Sequence, residues 1–309
     1  MLSRVANSIC WMARYMERTN GMLRLLRTNY IASQNELNTA SWSSILKLYS
    51  DLPTEKAQLL EQDSLALIAH LMFDVENSFS VCNNIIQARE NARAVQDNIT
   101  TELWQCLNGY YHLIRNPELK EQVLSGDPVS ALDTLIQQGM LYYGTVDNTM
   151  ARGEGFNFLN IGKLLERSIL SLDMLTIRIG ESNGNSQVDS SVWRYLLNTL
   201  SGYELYLKSY RGKFVTAYVV DQVIYNTDFP HSVLYCLMEM NRYFERLKAC
   251  SLPESYSQVE FRLGRTLNNV KYSNADHVQM SALLQFLMVT RNDIFDISNA
   301  FNKYYFGNN

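Results

Sequence analysis

At 309 residues, the chain is long enough for two ordinary domains or one large helical domain, and 27 basic against 31 acidic residues give a formal net charge of −4. The charges are interspersed, without the basic stripe of a nucleic-acid-binding protein or the basic cluster of a membrane-surface protein. No apolar run approaches the roughly 18 residues that a membrane span needs. We therefore expect neither nucleic acid nor a membrane as a partner.

The amino-acid content favours an all-α fold. Only 5 prolines and 14 glycines occur, 47% of the residues are hydrophobic, and Leu, Met, Glu and Arg are good helix formers. In the first half, the periodicity of apolar residues predicts helices over residues 3–31, 40–49, 61–73, 79–115 and 129–149. The fourth stretch should break near Asn98, because Thr100 or Thr101 can cap a new helix.

The sequence Arg152-Gly153-Glu154-Gly155 interrupts the helical pattern, and the second half then repeats a similar order of elements. Its helices are predicted over residues 156–180, 189–200, 214–225, 231–249, 256–270 and 278–305. Residues 180–191, rich in Gly, Ser and Asn, are typical of an exposed loop.

Internal similarity indicates a duplication. Residues 8–26 align without gaps on residues 157–175, at an offset of 149 positions. The alignment places two Glu-Arg pairs opposite each other, namely Glu17-Arg18 and Glu166-Arg167.

Two later anchors keep nearly the same spacing, Trp42 with Trp193 and Ser80-Val81 with Ser232-Val233. Three anchors in the same order are hard to obtain by chance. We therefore predict a duplicated helical bundle of two similar halves in a pseudo-two-fold arrangement. The halves are residues 1–150 and 151–309, packed as one globular unit.

Both glutamates lie in stripes of small residues on their helices. Ala6, Cys10, Ala13 and Gly21 accompany Glu17, and Gly155 and Gly162 accompany Glu166. Small side chains let another helix approach closely, so both glutamates should point into a helix–helix seam. A carboxylate there needs a partner, because an unpaired buried charge is very costly. Two facing duplicated helices could pair Glu17 with Arg167 and Glu166 with Arg18.

The candidate site consists of these glutamates and of basic and aromatic side chains. Glu17 and Glu166 are the candidate catalytic residues. The candidate substrate-binding residues are Trp11, Arg14, Arg18, Arg89, Arg93, Arg167, Arg242 and Arg246. Arginines one helical turn apart can clamp a carboxylate or a phosphate. They can equally form ion pairs that hold helices together, and both interpretations stay open at this point.

No metal or cofactor site is predicted. The histidines, His70, His112, His231 and His277, are scattered without the spacing of metal ligands. Gly153-Glu154-Gly155 follows no strand and lacks the lysine of a phosphate loop. A Ser–His or Cys–His nucleophile cannot be recognised from the sequence. The five cysteines, Cys10, Cys82, Cys106, Cys236 and Cys250, form no Cys-x-x-Cys pair and are typical of reduced thiols in a cytoplasmic protein.

These motifs resemble the alpha-E superfamily, a bacterial family named for its helices and its Glu-Arg motif. The matching stretches are MLSRVANSICWMARYMERTNGMLRLL, SVCNNIIQARENARAVQDNITTELWQCLN, MARGEGFNFLNIGKLLERS, SYRGKF and FPHSVLYCLMEMNRYFER. They occur in order and extend the similarity over essentially the whole chain.

The resemblance implies a setting rather than a reaction. Members of the family are typically encoded beside, or fused to, circularly permuted ATP-grasp ligases, with transglutaminase-like and proteasome-like peptidases nearby. An ATP-grasp ligase or a transglutaminase-like protein is therefore the implied partner, and a peptide-like molecule the implied ligand. The first hypothesis is an accessory protein that binds the substrate or the ligase. The alternatives are an enzyme of amide-bond formation or hydrolysis with a glutamate general base, and a purely structural subunit.

Overall fold

The structure is a computed structural model that describes residues 1–34, 42–181, 190–248, 253–273 and 279–307. Cys250, His277 and most of the predicted loop at 180–191 lie outside the described residues. Within those residues all regular structure is helical and no strand occurs, which confirms the predicted all-α class.

The α-helices are α1 Ser3–Gln34, α2 Trp42–Tyr49, α3 Thr54–Leu60, α4 Ser64–Phe73, α5 Val81–Arg93, α6 Thr101–Ile114, α7 Pro117–Leu124, α8 Pro128–Thr149, α9 Glu154–Glu181, α10 Ser190–Thr199, α11 Tyr203–Tyr210, α12 Thr216–Val220, α13 Val233–Leu247, α14 Pro253–Lys271 and α15 Met280–Ala300. A 3₁₀ turn covers Gln96–Asn98, and π turns extend α12 over Asp221–Tyr225 and α15 over Phe301–Tyr305.

Side-chain caps explain several of these boundaries. The break predicted near Asn98 is present, and Thr100 caps α6 by accepting the Leu103 N–H at 3.2 Å. Asp63 separates α3 from α4 because its carboxylate accepts two N–H groups at the start of α4. Asn116 and Pro117 begin α7, which the apolar pattern alone does not predict.

One compact unit comprises Trp11–Ala151. Its core is built around Tyr110 and Tyr142, both fully buried, and the Tyr110 hydroxyl donates to the Leu135 carbonyl at 2.8 Å. The part of α1 in this unit runs antiparallel to α8. Arg27 near the end of α1 binds Asp133 near the start of α8, with 2.5 Å between Nε and Oδ1.

The other compact unit comprises Met1–Cys10 together with Arg152–Asn309. Helix α9 is its centre and packs against α13 and α15. Aromatic side chains fill much of the core, the largest being Phe158, Trp193, Tyr206, Phe229, Phe244 and Phe301. Gly162 of α9 allows the start of α1 to approach closely, because a Cβ there would lie only 2.3 Å from the Cys10 carbonyl oxygen.

Replacing Gly162 tests this close approach. Gly162→Ala should lower the free energy of unfolding by about 1–3 kcal/mol, because the obstructing atom belongs to the backbone and the helices must separate. Gly144→Ala in α8 is the matched control, since a Cβ at Gly144 meets nothing within 4 Å. That substitution should raise stability by about 0.5–1 kcal/mol through helix propensity. Urea unfolding followed by circular dichroism measures both, and equal effects would contradict the proposed contact.

Candidate functional site

Glu17 is buried between α1 and α8 within the first unit described above. Its side chain is 1% exposed, and its Oε2 accepts a hydrogen bond from the Tyr143 hydroxyl at 2.5 Å. Three residues further along α1, Asn20 is also buried and faces Gly139 of α8. A Cβ atom added at Gly139 would lie only 3.3 Å from the Asn20 Oδ1, so the two helices are close at this point. Glu17 therefore lies where α1 packs on α8, and one glycine of α8, Gly139, faces α1 one turn further along.

A second tyrosine lies beside this carboxylate. The ring of Tyr142 packs edge-on against that of Tyr143, with 5.3 Å between centroids. Burial raises the pKa of Tyr142, and the charges of Cys106 and Glu17 raise it further. Its buried hydroxyl has no hydrogen-bond partner among the described residues. Two aromatic rings therefore lie near Glu17, the buried ring of Tyr142 and the half-buried ring of Tyr143.

Two basic residues of α1, Arg14 and Arg18, stack on aromatic rings of the same helix. The guanidinium of Arg14 lies 4.3 Å from the centre of the Trp11 ring, and that of Arg18 lies 5.6 Å from the centre of the Tyr15 ring. Each pair is three residues apart, so the stacking follows from helical spacing. Arg14 is only 5% exposed, whereas Trp11 and Arg18 are half-buried.

Glu166 is likewise buried, in the interior around α9, with a side chain 3% exposed. Two turns later on α9, Asp173 accepts two hydrogen bonds from Arg291 of α15, at 2.5 and 3.1 Å. Burial raises the pKa of Asp173, the hydrogen bonds and charge of Arg291 oppose the rise, and the charge of Glu166 adds to it. Two carboxylates thus influence each other across one face of α9.

Arg167 is directed away from that interior and toward α13. It donates to the Pro230 carbonyl at 3.4 Å, just before the helix begins. Burial raises the pKa of Tyr235 on α13, Glu239 and Cys236 raise it further, and Arg167 and Arg242 oppose the rise. The structure therefore brings two predicted binding residues, Arg167 and Arg242, to the same tyrosine.

The remaining predicted arginines lie at the surface in ion pairs or ring contacts. Arg89 is the most enclosed, since its guanidinium lies over the rings of Trp104 and Tyr111 and its Nε donates to Asn108 at 2.8 Å. Arg93 forms a 3.6 Å ion pair with Glu90.

On α13, Arg242 pairs with Glu239 at 3.4 Å and Arg246 lies over the Tyr243 ring. These arginines are held by neighbours on their own helix, which leaves much of each guanidinium open to solvent; Arg242, for example, is 62% exposed.

Three residues at these positions have no counterpart in the sequence prediction: Tyr143, Asp173 and Arg291. Tyr143 and Arg291 are far from their partners in the sequence, so no local pattern could have identified the pairs. Asp173 could have been noticed, because it lies two turns from Glu166 on the same face of α9.

The described residues contain no group of three or more His, Cys, Asp or Glu side chains that could hold a metal ion. No helix among them is both long and apolar enough to cross a lipid bilayer. The chemistry available around the two Glu-Arg pairs is therefore that of buried carboxylates, aromatic rings and part-exposed guanidinium groups.

Comparison with known proteins gives distant relatives. The chain is 24% identical over 267 residues to the uncharacterized protein Mb2597 of Mycobacterium bovis, and 23% identical over 267 residues to the uncharacterized protein Rv2567 of Mycobacterium tuberculosis. Each match covers 80% of this chain but 29% of the relative, so the chain spans under a third of the length of these proteins. No solved structure matches.

The family comparison is broader. Residues 1–306 match the Alpha-E family, which is described as a predicted alpha-helical domain with a conserved ER motif. Glu17-Arg18 and Glu166-Arg167 are the two Glu-Arg pairs of the aligned stretches in this sequence. The match covers nearly the whole chain, and the chain therefore belongs to the Alpha-E family.

Proposed function

We propose that this chain is a helical binding module that works beside an ATP-grasp ligase of peptide or amide-bond chemistry, and that it binds the peptide-like substrate or the ligase itself. The observation that carries the proposal is the different placement of the two residues of each Glu-Arg pair. Glu17 and Glu166 are buried in helix packing, whereas Arg18 and Arg167 lie at half-buried positions where a ligand's carboxylate could reach them.

Burial argues for a structural role of the glutamates within this module. A catalytic base must reach its substrate's proton directly or through one water. Glu17 is instead almost inaccessible to solvent and accepts a hydrogen bond from Tyr143. The alternative of a glutamate general base stays a prediction that the same variants test.

The length of the relatives supports a partner protein. In the mycobacterial relatives the matched region is 29% of the chain, so this domain is one part of a longer protein there. We propose that the present chain acts with a partner protein, a circularly permuted ATP-grasp ligase or a transglutaminase-like protein. The proposal places it in the cytoplasm, in keeping with Cys82 and Cys106, which form no disulfide among the described residues.

The proposal includes an internal duplication into residues 1–150 and 151–309. Matching local geometry supports the duplication. Ser80 caps α5 and Ser232 caps α13 in the same way. Asp74 and Asn226, 152 positions apart, accept the N–H two residues later, both at 2.9 Å.

The substitution Glu17→Gln distinguishes a structural role of Glu17 from a role as general base. The substitution should lower the free energy of unfolding by about 1–3 kcal/mol, because it weakens a charged, buried hydrogen bond. Binding of the ligase should persist once the protein is folded. Tyr143→Phe removes the same bond from the other side, and a double-mutant cycle in urea should show coupling between the two positions. Unchanged stability with abolished ligation would favour the general base instead.

Arg18→Ala and Arg167→Ala test two candidate binding positions, one in each compact unit. Each should weaken binding to the adjacent ATP-grasp ligase or its peptide substrate by about tenfold, because a charged contact is worth roughly 1.5–3 kcal/mol. Lys120→Ala is the control, since it removes an exposed positive charge from α7, a helix that carries none of the predicted binding residues. Isothermal titration calorimetry measures affinity, and a phosphate-release assay measures ATP-dependent turnover. If both variants bind as the unsubstituted protein does, the binding-module proposal fails.

A further inference from the structure

Ser50, His70 and Asp74 form a hydrogen-bonded row in the unit that spans Trp11–Ala151. The Ser50 Oγ lies 2.9 Å from the His70 Nε2, and the His70 Nδ1 lies 2.9 Å from the Asp74 Oδ2. His70 and Asp74 are one turn apart at the end of α4, while Ser50 directly follows α2. The row is separate from both Glu-Arg pairs.

The hydrogen-bond partners fix where the protons lie. Asp74 is held by its own turn, since its Oδ1 accepts the Glu76 N–H at 2.9 Å. A carboxylate only accepts, so the His70 Nδ1 carries the proton between them and the neutral ring keeps Nε2 as an acceptor. Ser50 Oγ accepts the Leu52 N–H at 3.3 Å and therefore directs its own proton at His70. This is the arrangement of a nucleophile, a base and an orienting carboxylate.

The serine opens onto a pocket. Ser50 lines a cavity of about 380 Å³ between α2 and α3, together with Leu46, Lys47, Leu52 and Gln58. The His70 side chain is 12% exposed, so the base is shielded while the nucleophile borders the cavity. The volume is at the small end of the range of about 300–1,000 Å³ for ligand pockets.

A second pair of residues in the chain shows which part of the His70–Asp74 contact is needed for structure and which part adds proton transfer. Gln222 and Asn226 stand 152 positions after His70 and Asp74. They are also linked one turn apart, although the direction is reversed: the Asn226 Nδ2 donates to the Gln222 Oε1 at 2.8 Å. Asn226 also makes the same turn as Asp74, by accepting the Asp228 N–H. Two amides therefore suffice to hold this helix end, and His70–Asp74 adds the capacity to accept and return a proton.

We propose that Ser50, His70 and Asp74 are a catalytic site for acyl transfer to water, with small esters as substrates. Ser50 Oγ bonds to the acyl carbon while its proton passes to His70 Nε2. The bond from the acyl carbon to the leaving alcohol breaks, and His70 returns the proton to that alcohol. A water molecule then gives its proton to His70, attacks the acyl carbon and releases the acid, and the returned proton regenerates Ser50.

The lining of the pocket selects the kind of ester. Leu46 and Leu52 provide apolar contact for a short acyl chain, and Lys47 provides a positive charge for a developing oxyanion or for a carboxylate on the substrate. This activity is independent of the proposed binding of a ligase, because it uses different residues.

The test uses the full chain with a fluorophosphonate probe and with p-nitrophenyl acetate. The probe should bond to Ser50, as located by mass spectrometry of peptides, and Ser50→Ala should reduce ester hydrolysis at least about 100-fold in kcat/KM. The double substitution His70→Gln with Asp74→Asn reproduces the contact seen at Gln222 and Asn226. It should keep the thermal unfolding midpoint while losing both probe labelling and hydrolysis.

Ser44→Ala is the matched control, because Ser44 belongs to the same helix α2 but is neither in the lining of the pocket nor in the row. Its rate should stay within about threefold of the unsubstituted protein, well short of the loss expected at a triad residue. The proposal is overturned if the probe leaves Ser50 unlabelled, or if the folded double variant hydrolyses the ester as fast as the unsubstituted protein.

Discussion

The arrangement of the helices depends on one constraint, which is that carboxylates buried between helices need partners. Glu17 and Glu166 are almost inaccessible to solvent, and a buried charge without a partner would cost more than most single contacts return. The helices around them are arranged accordingly. Helix α8 brings Tyr143 to Glu17, and α15 brings Arg291 to Asp173. The charge of Glu166 raises the pKa of Asp173. The Glu-Arg motif is thus tied to the choice of neighbouring helices.

The helical class and many helix boundaries could be predicted from the sequence, because they depend on local chemistry. The cap at Thr100 and the caps at Ser80 and Ser232 belong to this group. Helix α7 was missed because its start depends on Asn116 and Pro117 rather than on apolar spacing. The short helices α3 and α11 were missed for a related reason, since their few turns leave little periodicity to detect.

The candidate site was only partly predictable. Burial of Glu17 followed from the small-residue stripe, but its partner Tyr143 lies 126 positions away and no local pattern connects them. The approach of Arg167 to Tyr235 likewise depends on how α9 packs on α13, whereas Arg242 lies two turns from Tyr235 on the same helix. His70 and Asp74 had a visible signal, a histidine followed by an aspartate one helical turn later. Ser50 joins them only through the fold, so the row could not be recognised before the structure.

The pair Gln222–Asn226 has a consequence for how such a row can arise. Histidine codons differ from glutamine codons at a single nucleotide, and aspartate codons differ from the corresponding asparagine codons at a single nucleotide. Each amide residue already satisfies the hydrogen bonds that hold the helix end. Each single substitution between the two pairs can therefore preserve the local hydrogen bonds. Acid–base chemistry can then be gained or lost at this helix end one residue at a time, while the protein stays folded at every step.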